Sequence, residues 1–197
     1  MFAIRALVVL IGSLAAAGCT AAERPYSDVI AEWRAEKNSF MRSGQSPVPP
    51  ERRAAFPPLP YFAIEPDYRV PAVLKIRRGD EVVEMPTSTG QRRQMRRIGT
   101  LEFTLKGSPH TLTAFADATE TDIQRLFVPF GDLTNGSETY QGGRYLDLDR
   151  TATSIYDLDF NRAYHPFCVF NSAYDCPVPP RENRLPVPVR AGERHGG

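Results

Sequence analysis

The sequence predicts a mainly β fold: one antiparallel sandwich or barrel-like domain with an N-terminal amphipathic helix and proline-rich straps. About eight segments show strand-like alternation, at roughly ten-residue spacing, and turn residues separate them. The 18 prolines cluster and are not scattered along the chain. We see neither an internal repeat nor a second domain.

The first residues have the pattern of a secretory leader. Arg5 precedes an apolar run over residues 6–17, and Gly18 stands directly before Cys19. The run is shorter than the ~20 apolar residues needed to span a bilayer. The ending resembles that of bacterial lipoproteins and predicts a signal peptide over 1–18 with lipidation at Cys19. The alternative is an ordinary signal peptide in which Cys19 is incidental.

The leader also predicts where the protein lies and how the chain is divided. Thr20 occupies the position at which Asp marks inner-membrane retention in some bacteria. We therefore expect a periplasm-facing lipoprotein of the cell envelope, in the outer rather than the inner membrane. The expected division is a tether over 19–25, one domain over 26–193 and a tail over 194–197.

Helical spacing of apolar residues predicts a helix over 26–41 that packs Trp33 on the domain. Six prolines follow within 46–60, and this composition favours an extended strap over a regular helix or a central strand. A second strap, with five prolines, is predicted over 176–188.

Between the straps, side chains alternate with period two. Leu101, Phe103 and Leu105 alternate with polar residues, as in a strand with one buried face. The predicted strands are 68–76, 81–85, 94–98, 101–106, 111–116, 125–130, 140–148 and 155–160.

Charge and cysteine content exclude some classes of function. Removal of residues 1–18 takes away one basic residue and no acidic residue, which leaves the remainder formally neutral. No global field therefore attracts nucleic acid. Cys168 and Cys176 are expected to pair in an oxidising compartment, although His165 and both thiols could instead hold zinc. We expect the disulfide, with no metal and no cofactor.

The richest polar segment is 157–165. On a strand, Asp157, Asp159 and Asn161 share one face, and such a row needs a cation, an arginine or water. Pairing with Arg144 or Arg162 is the structural interpretation. His165 is a histidine before proline whose pKa leaves a general-base role open.

A second polar segment surrounds a turn at Asn135-Gly136. Asp132 and Glu138 flank it and could act as an acid/base pair, or simply stabilise the turn. Candidate catalytic residues are thus Asp132, Glu138, Asp159 and His165. Candidate binding residues are Tyr140, Arg144, Asn161 and Tyr164.

Four arginines, at 92, 93, 96 and 97, form a basic cluster. It could meet lipid head groups or anionic envelope polymers, but a solvated hairpin is the preferred interpretation. The sequence contains no nucleophile elbow, phosphate-binding loop, dinucleotide fingerprint or zinc-protease helix.

Taken together, several motifs resemble domain-of-unknown-function family 1684 of bacteria and archaea. The resemblance spans most of the chain after the leader and implies one domain with a shared polar surface, but no activity. Members of the family usually have Asn-Pro where this chain has His165-Pro166, and this argues against a zinc or base role for His165. The motifs are Phe127-Val-Pro-Phe130, Asp132-Leu-Thr134, Glu138-Thr-Tyr140, Gly143-Arg-Tyr-Leu-Asp147, Asp159-Phe-Asn161-Arg-Ala-Tyr164, Cys168, Cys176-Pro-Val-Pro-Pro180, Glu182-Asn183-Arg-Leu185 and Ala191-Gly-Glu193.

Two functions follow as hypotheses. The first is a lipid-anchored, non-catalytic module for ligand binding or envelope maintenance, with the membrane as a partner through Cys19. Its ligand would be a small molecule or an envelope polymer, and its oligomeric state stays open. The second is a hydrolase that uses Asp132, Glu138 or Asp159, with or without a divalent cation. Convergence of those carboxylates on one pocket would favour the hydrolase.

Overall fold

A computed structural model describes residues 24–195 of the chain. The leader and the lipidation predicted at Cys19 lie outside this range. No helix within it is long and apolar enough to cross a membrane.

The described chain is mainly β, as predicted. Helix α1 spans Tyr26–Met41 and α2 is a single turn at Pro50–Arg53. Short 3-10 segments lie at Pro66–Tyr68, Phe160–Arg162, Phe167–Val169 and Arg181–Asn183. The strands are β1 (Arg69–Ile76), β2 (Val82–Pro86), β3 (Arg92–Leu105), β4 (Ser108–Asp117), β5 (Arg125–Phe130), β6 (Arg144–Asp149) and β7 (Ile155–Asp159).

The strands form one antiparallel sheet in the order β6-β5-β4-β3-β1-β7, and β2 pairs with the first part of β3. The sheet curls until β6 and β7 approach each other, and it nearly closes into a barrel. Tyr145 of β6 pairs with Tyr164, which follows β7, so the closure is made at one end only. We call the opening that remains between β6 and β7 the seam.

The predicted strands 94–98 and 101–106 are one continuous strand, β3. Its register against β4 shifts between Arg97 and Gly99, where a bulge replaces the expected turn. Gly99 allows a close approach, because a Cβ at this position would overlap the carbonyl oxygen of Lys75. A single long strand can therefore pair with β2 near its start and with β1 near its end.

Every second side chain along the strands points inward, and these side chains fill the barrel, as predicted. Leu101, Phe103 and Leu105 are buried with Leu112 and Phe160 in one core cluster. Burial of such side chains is worth about 1.5–3 kcal/mol each. The residues between them in β3, at 102 and 104, are exposed.

The N-terminal helix and the first strap cover one side of this barrel. Met41 of α1 packs with Val48 and Leu59 in a satellite cluster. Trp33 meets the ring of Tyr61 edge-on at 6.4 Å. The strap is extended as predicted except at α2, which begins at Pro50, because proline is favoured in the first turn of a helix.

Candidate functional site

A buried ion pair fixes the C-terminal strap, here taken to include residues 189–193, to the barrel. The side chains of Arg144 and Asp132 are both 0% exposed, and Nη2 of Arg144 lies 2.9 Å from Oδ2 of Asp132. The terminal nitrogens of Arg144 also donate to the carbonyls of Val189, Ala191 and Glu193. Burial lowers the pKa of Arg144, and the nearby Asp132 opposes that effect. The guanidinium of Arg144 therefore holds the strap in place, and none of its N–H groups faces solvent.

The carboxylate of Asp132 is likewise occupied by internal hydrogen bonds. Its Oδ1 accepts hydrogen bonds from the N–H and Oγ1 of Thr134, at 2.8 and 2.6 Å, and from the N–H of Val189 at 3.1 Å. Both carboxylate oxygens thus stabilise a turn and the strap, in agreement with the alternative that this residue is structural.

Glu138 lies in a different environment, on the surface. Its carboxylate pairs with Arg190, which donates from Nε at 2.9 and 3.0 Å. These hydrogen bonds lower the pKa of Glu138, so it is ionised near neutral pH. An exposed, ionised carboxylate of this kind is unsuited to general-acid catalysis.

His165 belongs to a buried cluster with Glu193. The backbone N–H of His165 donates to Oε2 of Glu193 at 2.7 Å, and Nζ of Lys37 from α1 lies 2.7 Å from Oε1. Nε2 of His165 accepts from the Tyr140 N–H at 3.3 Å. Burial lowers the pKa of His165 to about 3, with smaller contributions from neighbouring cations. The imidazole is therefore neutral, and its acceptor nitrogen is already used.

Asp159 and Asn161 form a third network, which ties α1 to β7. Oδ1 of Asp159 accepts from the Tyr26 hydroxyl at 2.8 Å and from the Asn161 N–H at 3.0 Å. The fully buried Asn161 amide donates to the Glu65 carbonyl at 2.9 Å. Arg162 lies 3.6 Å from Oδ2 of Asp159.

The candidate carboxylates are thus held apart by different partners. Asp132 is in the barrel wall with Arg144, Glu138 is on the surface with Arg190, and Asp159 is beneath α1. Of these three carboxylates, only Asp159 lines the large groove described next. The convergence that a hydrolase built on all three requires is not found.

The seam opens into a groove of about 800 Å³, which we call the seam groove. Leu146, Leu148 and Tyr156 form apolar parts of its surface, and the start of α1 lies along it. Its charged residues are Arg24, Arg69, Asp147, Asp149, Asp157, Asp159 and Arg162. Arg69 binds Asp157 with both Nε and Nη2, at 2.8 and 2.7 Å from Oδ2.

Asp147 lines the groove, although it was not among the candidate site residues predicted from the sequence. The hydroxyl of Tyr164 donates to Oδ2 of Asp147 at 2.8 Å. Desolvation raises the pKa of Asp147, although part of the side chain stays exposed. Alternation along β6 was the available signal, because Asp147 and Asp149 are the outward residues between inward leucines.

The two cysteines lie in contact near Tyr140. The Cys168 N–H donates to Sγ of Cys176 at 3.2 Å, and both thiols are free in this structure. Burial raises the pKa of Cys176 to about 12. The disulfide between them stays a prediction. Within residues 24–195 no group of three or more His, Cys, Asp or Glu side chains is placed to hold a metal ion.

Comparison with known proteins identifies the family. The model of a protein family described as "Protein of unknown function (DUF1684)" matches residues 54–194. The chain belongs to the DUF1684 family. The solution NMR structure of an uncharacterized protein from gene locus rrnAC0354 of Haloarcula marismortui is similar, with 39% identity and a TM-score of 0.67. The similarity covers 85% of this chain and 93% of that chain. No curated protein matches this chain.

In this DUF1684 protein, the motifs that carry the family resemblance hold the buried polar networks. Asn183 illustrates this, although nothing in the sequence alone indicated a role for it. Its side chain accepts from the Thr113 N–H at 2.7 Å and donates to the carbonyls of Thr113 and Pro129 at 2.8 and 2.7 Å. It therefore pins the C-terminal strap across β4 and β5, much as Arg144 does further along.

Proposed function

We propose that this DUF1684 protein is a lipid-anchored, periplasm-facing protein of the cell envelope that binds a ligand in the seam groove without transforming it. Cys19 would carry the lipid, and the outer membrane is favoured over the inner one. The observation that carries the binding role is the contrast between polar groups held in internal contacts and polar groups that line an open groove. Asp132, Glu138 and His165 serve internal contacts, whereas the seam groove is open and lined by polar side chains.

The lining favours a hydroxyl-rich ligand such as an envelope glycan. Carboxylates of β6 and β7 accept hydrogen bonds, and the guanidiniums of Arg24, Arg69 and Arg162 donate them. Because the groove carries charges of both signs, neither a polyanion nor a polycation is selected by charge alone. Tyr26 adds a ring surface against which the apolar face of a sugar ring can pack.

Co-sedimentation with insoluble peptidoglycan tests this role. We expect the double substitution Arg69→Ala and Asp157→Ala to weaken retention about tenfold, because an exchangeable donor and acceptor are lost from the groove. The matched control is Arg92→Ala with Glu84→Ala, which removes another solvent-exposed ion pair, from the β2–β3 hairpin. Equal retention of the two double variants, or no retention of the unaltered protein, would reject a glycan role for the seam groove.

One observation favours hydrolysis as a second candidate. Asp147 has a raised pKa and shares the groove with the carboxylates of β7, an arrangement in which one carboxyl group could donate a proton and another stay ionised. We would measure the release of reducing ends from peptidoglycan by the protein and by Asp147→Asn. Release that Asp147→Asn abolishes would establish the hydrolase, and no release by the unaltered protein would dismiss it.

A further inference from the structure

A second cavity, of about 330 Å³, lies on the outside of the barrel where β3, β5 and β6 meet the segment around the cysteines. We call it the aromatic pocket. Five aromatic residues line it: Phe127, Tyr145, Tyr164, Phe167 and Tyr174. A cavity of this size, mostly apolar with few polar groups, is typical of sites for small organic molecules.

The rings are held in fixed, mutually perpendicular orientations. Phe127 and Tyr145 meet edge to face at 4.7 Å, Tyr145 and Tyr164 at 5.7 Å, and Phe167 and Tyr174 at 5.5 Å. The Tyr145 hydroxyl donates to the Pro177 carbonyl, and the Tyr164 hydroxyl to Asp147. Because those hydroxyls are engaged elsewhere, the two tyrosines present ring surface to the pocket, and a further aromatic ring can join the perpendicular arrangement.

Arg93 supplies the pocket with a cation. Its neighbours in the basic cluster of β3 each have a carboxylate partner: Arg92 pairs with Glu84, Arg96 with Asp80, and Arg97 with Glu182. Within residues 24–195, no carboxylate lies at ion-pair distance from Arg93, which donates from Nη2 to a backbone carbonyl at 3.1 Å.

Two carboxylates also line the pocket, but both are satisfied by other donors. Asp117 accepts from the N–H and Oγ1 of Thr119, at 2.9 and 2.6 Å. Asp175 accepts from the N–H and Oγ1 of Thr89, at 3.2 and 2.7 Å. Hydrogen bonds from threonine, and to a smaller extent the nearby charge of Arg93, lower the pKa of both carboxylates, and the guanidinium of Arg93 is the cationic group among the lining residues.

We propose that the aromatic pocket binds a small aromatic carboxylate, with its ring among the five aromatic side chains and its carboxylate on Arg93. A planar guanidinium matches a carboxylate in a two-point hydrogen bond, and this geometry favours a planar oxyanion over a neutral polar group. The aromatic pocket is separate from the seam groove, which lies on the other side of the Tyr164–Asp147 hydrogen bond. The proposal therefore does not depend on glycan binding or on the lipid anchor.

Fluorescence titration with 2-naphthoate tests the proposal, with 2-naphthalenemethanol and acetate as comparison ligands. We expect 2-naphthoate to bind at least about tenfold more tightly than the neutral alcohol, and acetate not to bind, because ring and charge contribute together. Arg93→Gln should remove the preference for 2-naphthoate and leave the affinity for the alcohol unchanged. Tyr174→Leu should weaken both aromatic ligands, since Tyr174 is a partly exposed wall of the pocket.

The matched control is Arg92→Gln, which removes the adjacent cation from the opposite face of β3. It should leave both affinities unchanged. An equal effect of Arg92→Gln and Arg93→Gln would show nonspecific attraction and overturn the proposal. So would failure of 2-naphthoate to bind, or binding that is insensitive to Arg93→Gln. Each variant changes an exposed side chain, and an unchanged unfolding temperature confirms that it is folded.

Discussion

At the scale of single residues, the fully buried charge of Arg144 has the largest predicted effect. Its pair with Asp132 has no contact with solvent, so loss of either partner leaves a desolvated charge behind. We expect Asp132→Asn to lower the free energy of unfolding by about 3–5 kcal/mol. Urea unfolding measures this loss. The control is Glu138→Gln, which breaks an exposed ion pair and should leave the midpoint unchanged. Equal midpoints for the two variants would contradict the structural role of Asp132.

His165 makes stability depend on pH. The unfolded chain binds a proton at the ordinary histidine pKa of 6.5, whereas burial keeps His165 neutral down to about 3. Between these values the unfolded state holds more protons, so stability falls as pH decreases from 6.5 towards 3, by up to about 1.4 kcal/mol per unit. The resemblance to the family supplies the matched variant, because members usually carry asparagine here.

The measurement is urea unfolding of the protein and of His165→Asn at several pH values. The two proteins share every other titratable group, so the difference between the two curves isolates the histidine. We expect that difference to grow as the pH is lowered below 6.5. A constant difference would show that His165 is protonated in the folded state.

At the scale of elements, the segment between Cys168 and Cys176 determines part of the aromatic pocket. It carries Tyr174 and follows directly after Phe167, both of which line the pocket. A disulfide would close this segment into a nine-residue loop and add about 2.6 kcal/mol by restricting the unfolded chain. We expect no free thiols in protein from an oxidising compartment, and a loss of stability of about that size on reduction.

A thiol assay before and after unfolding, followed by urea unfolding with and without reductant, checks this prediction. The double substitution Cys168→Ser and Cys176→Ser should be insensitive to reductant, and it should bind 2-naphthoate more weakly if the loop positions Tyr174. Two free thiols in protein secreted to an oxidising compartment would reject the disulfide.

At the scale of the whole molecule, the sequence predicted the elements better than the contacts between them. Period-two alternation was sufficient for the sheet, because it reflects burial of one strand face. The bulge at Gly99 was missed, since a glycine between two strand-like segments predicts a turn as readily as a close backbone approach. The partners of the carboxylates could also not be predicted from the sequence. Asp132 meets a strap more than fifty residues away, at Val189, and no local pattern encodes such a distant contact.

The groove and the pocket illustrate the same limit. Each is assembled from segments that are distant in sequence, and the seam groove depends on a sheet that stops short of closure between β6 and β7. Asp147 and Arg93 stand out only after the partners of their neighbours are known. A sequence can indicate polar residues, but whether a charge is committed to a structural partner is a property of the folded chain.

The anchor is the remaining whole-molecule prediction. If Cys19 is lipidated, the protein made in a bacterium should sediment with membranes, and Cys19→Ser should shift it to the soluble fraction. Two acyl signals on one residue are sufficient for stable anchoring, and within residues 24–195 no helix could replace them. Separation of inner and outer membranes tests the second part: Thr20→Asp should move the protein from the outer to the inner membrane. Membrane association that survives Cys19→Ser would locate the attachment elsewhere, and an inner-membrane position of the unaltered protein would contradict the outer-membrane assignment.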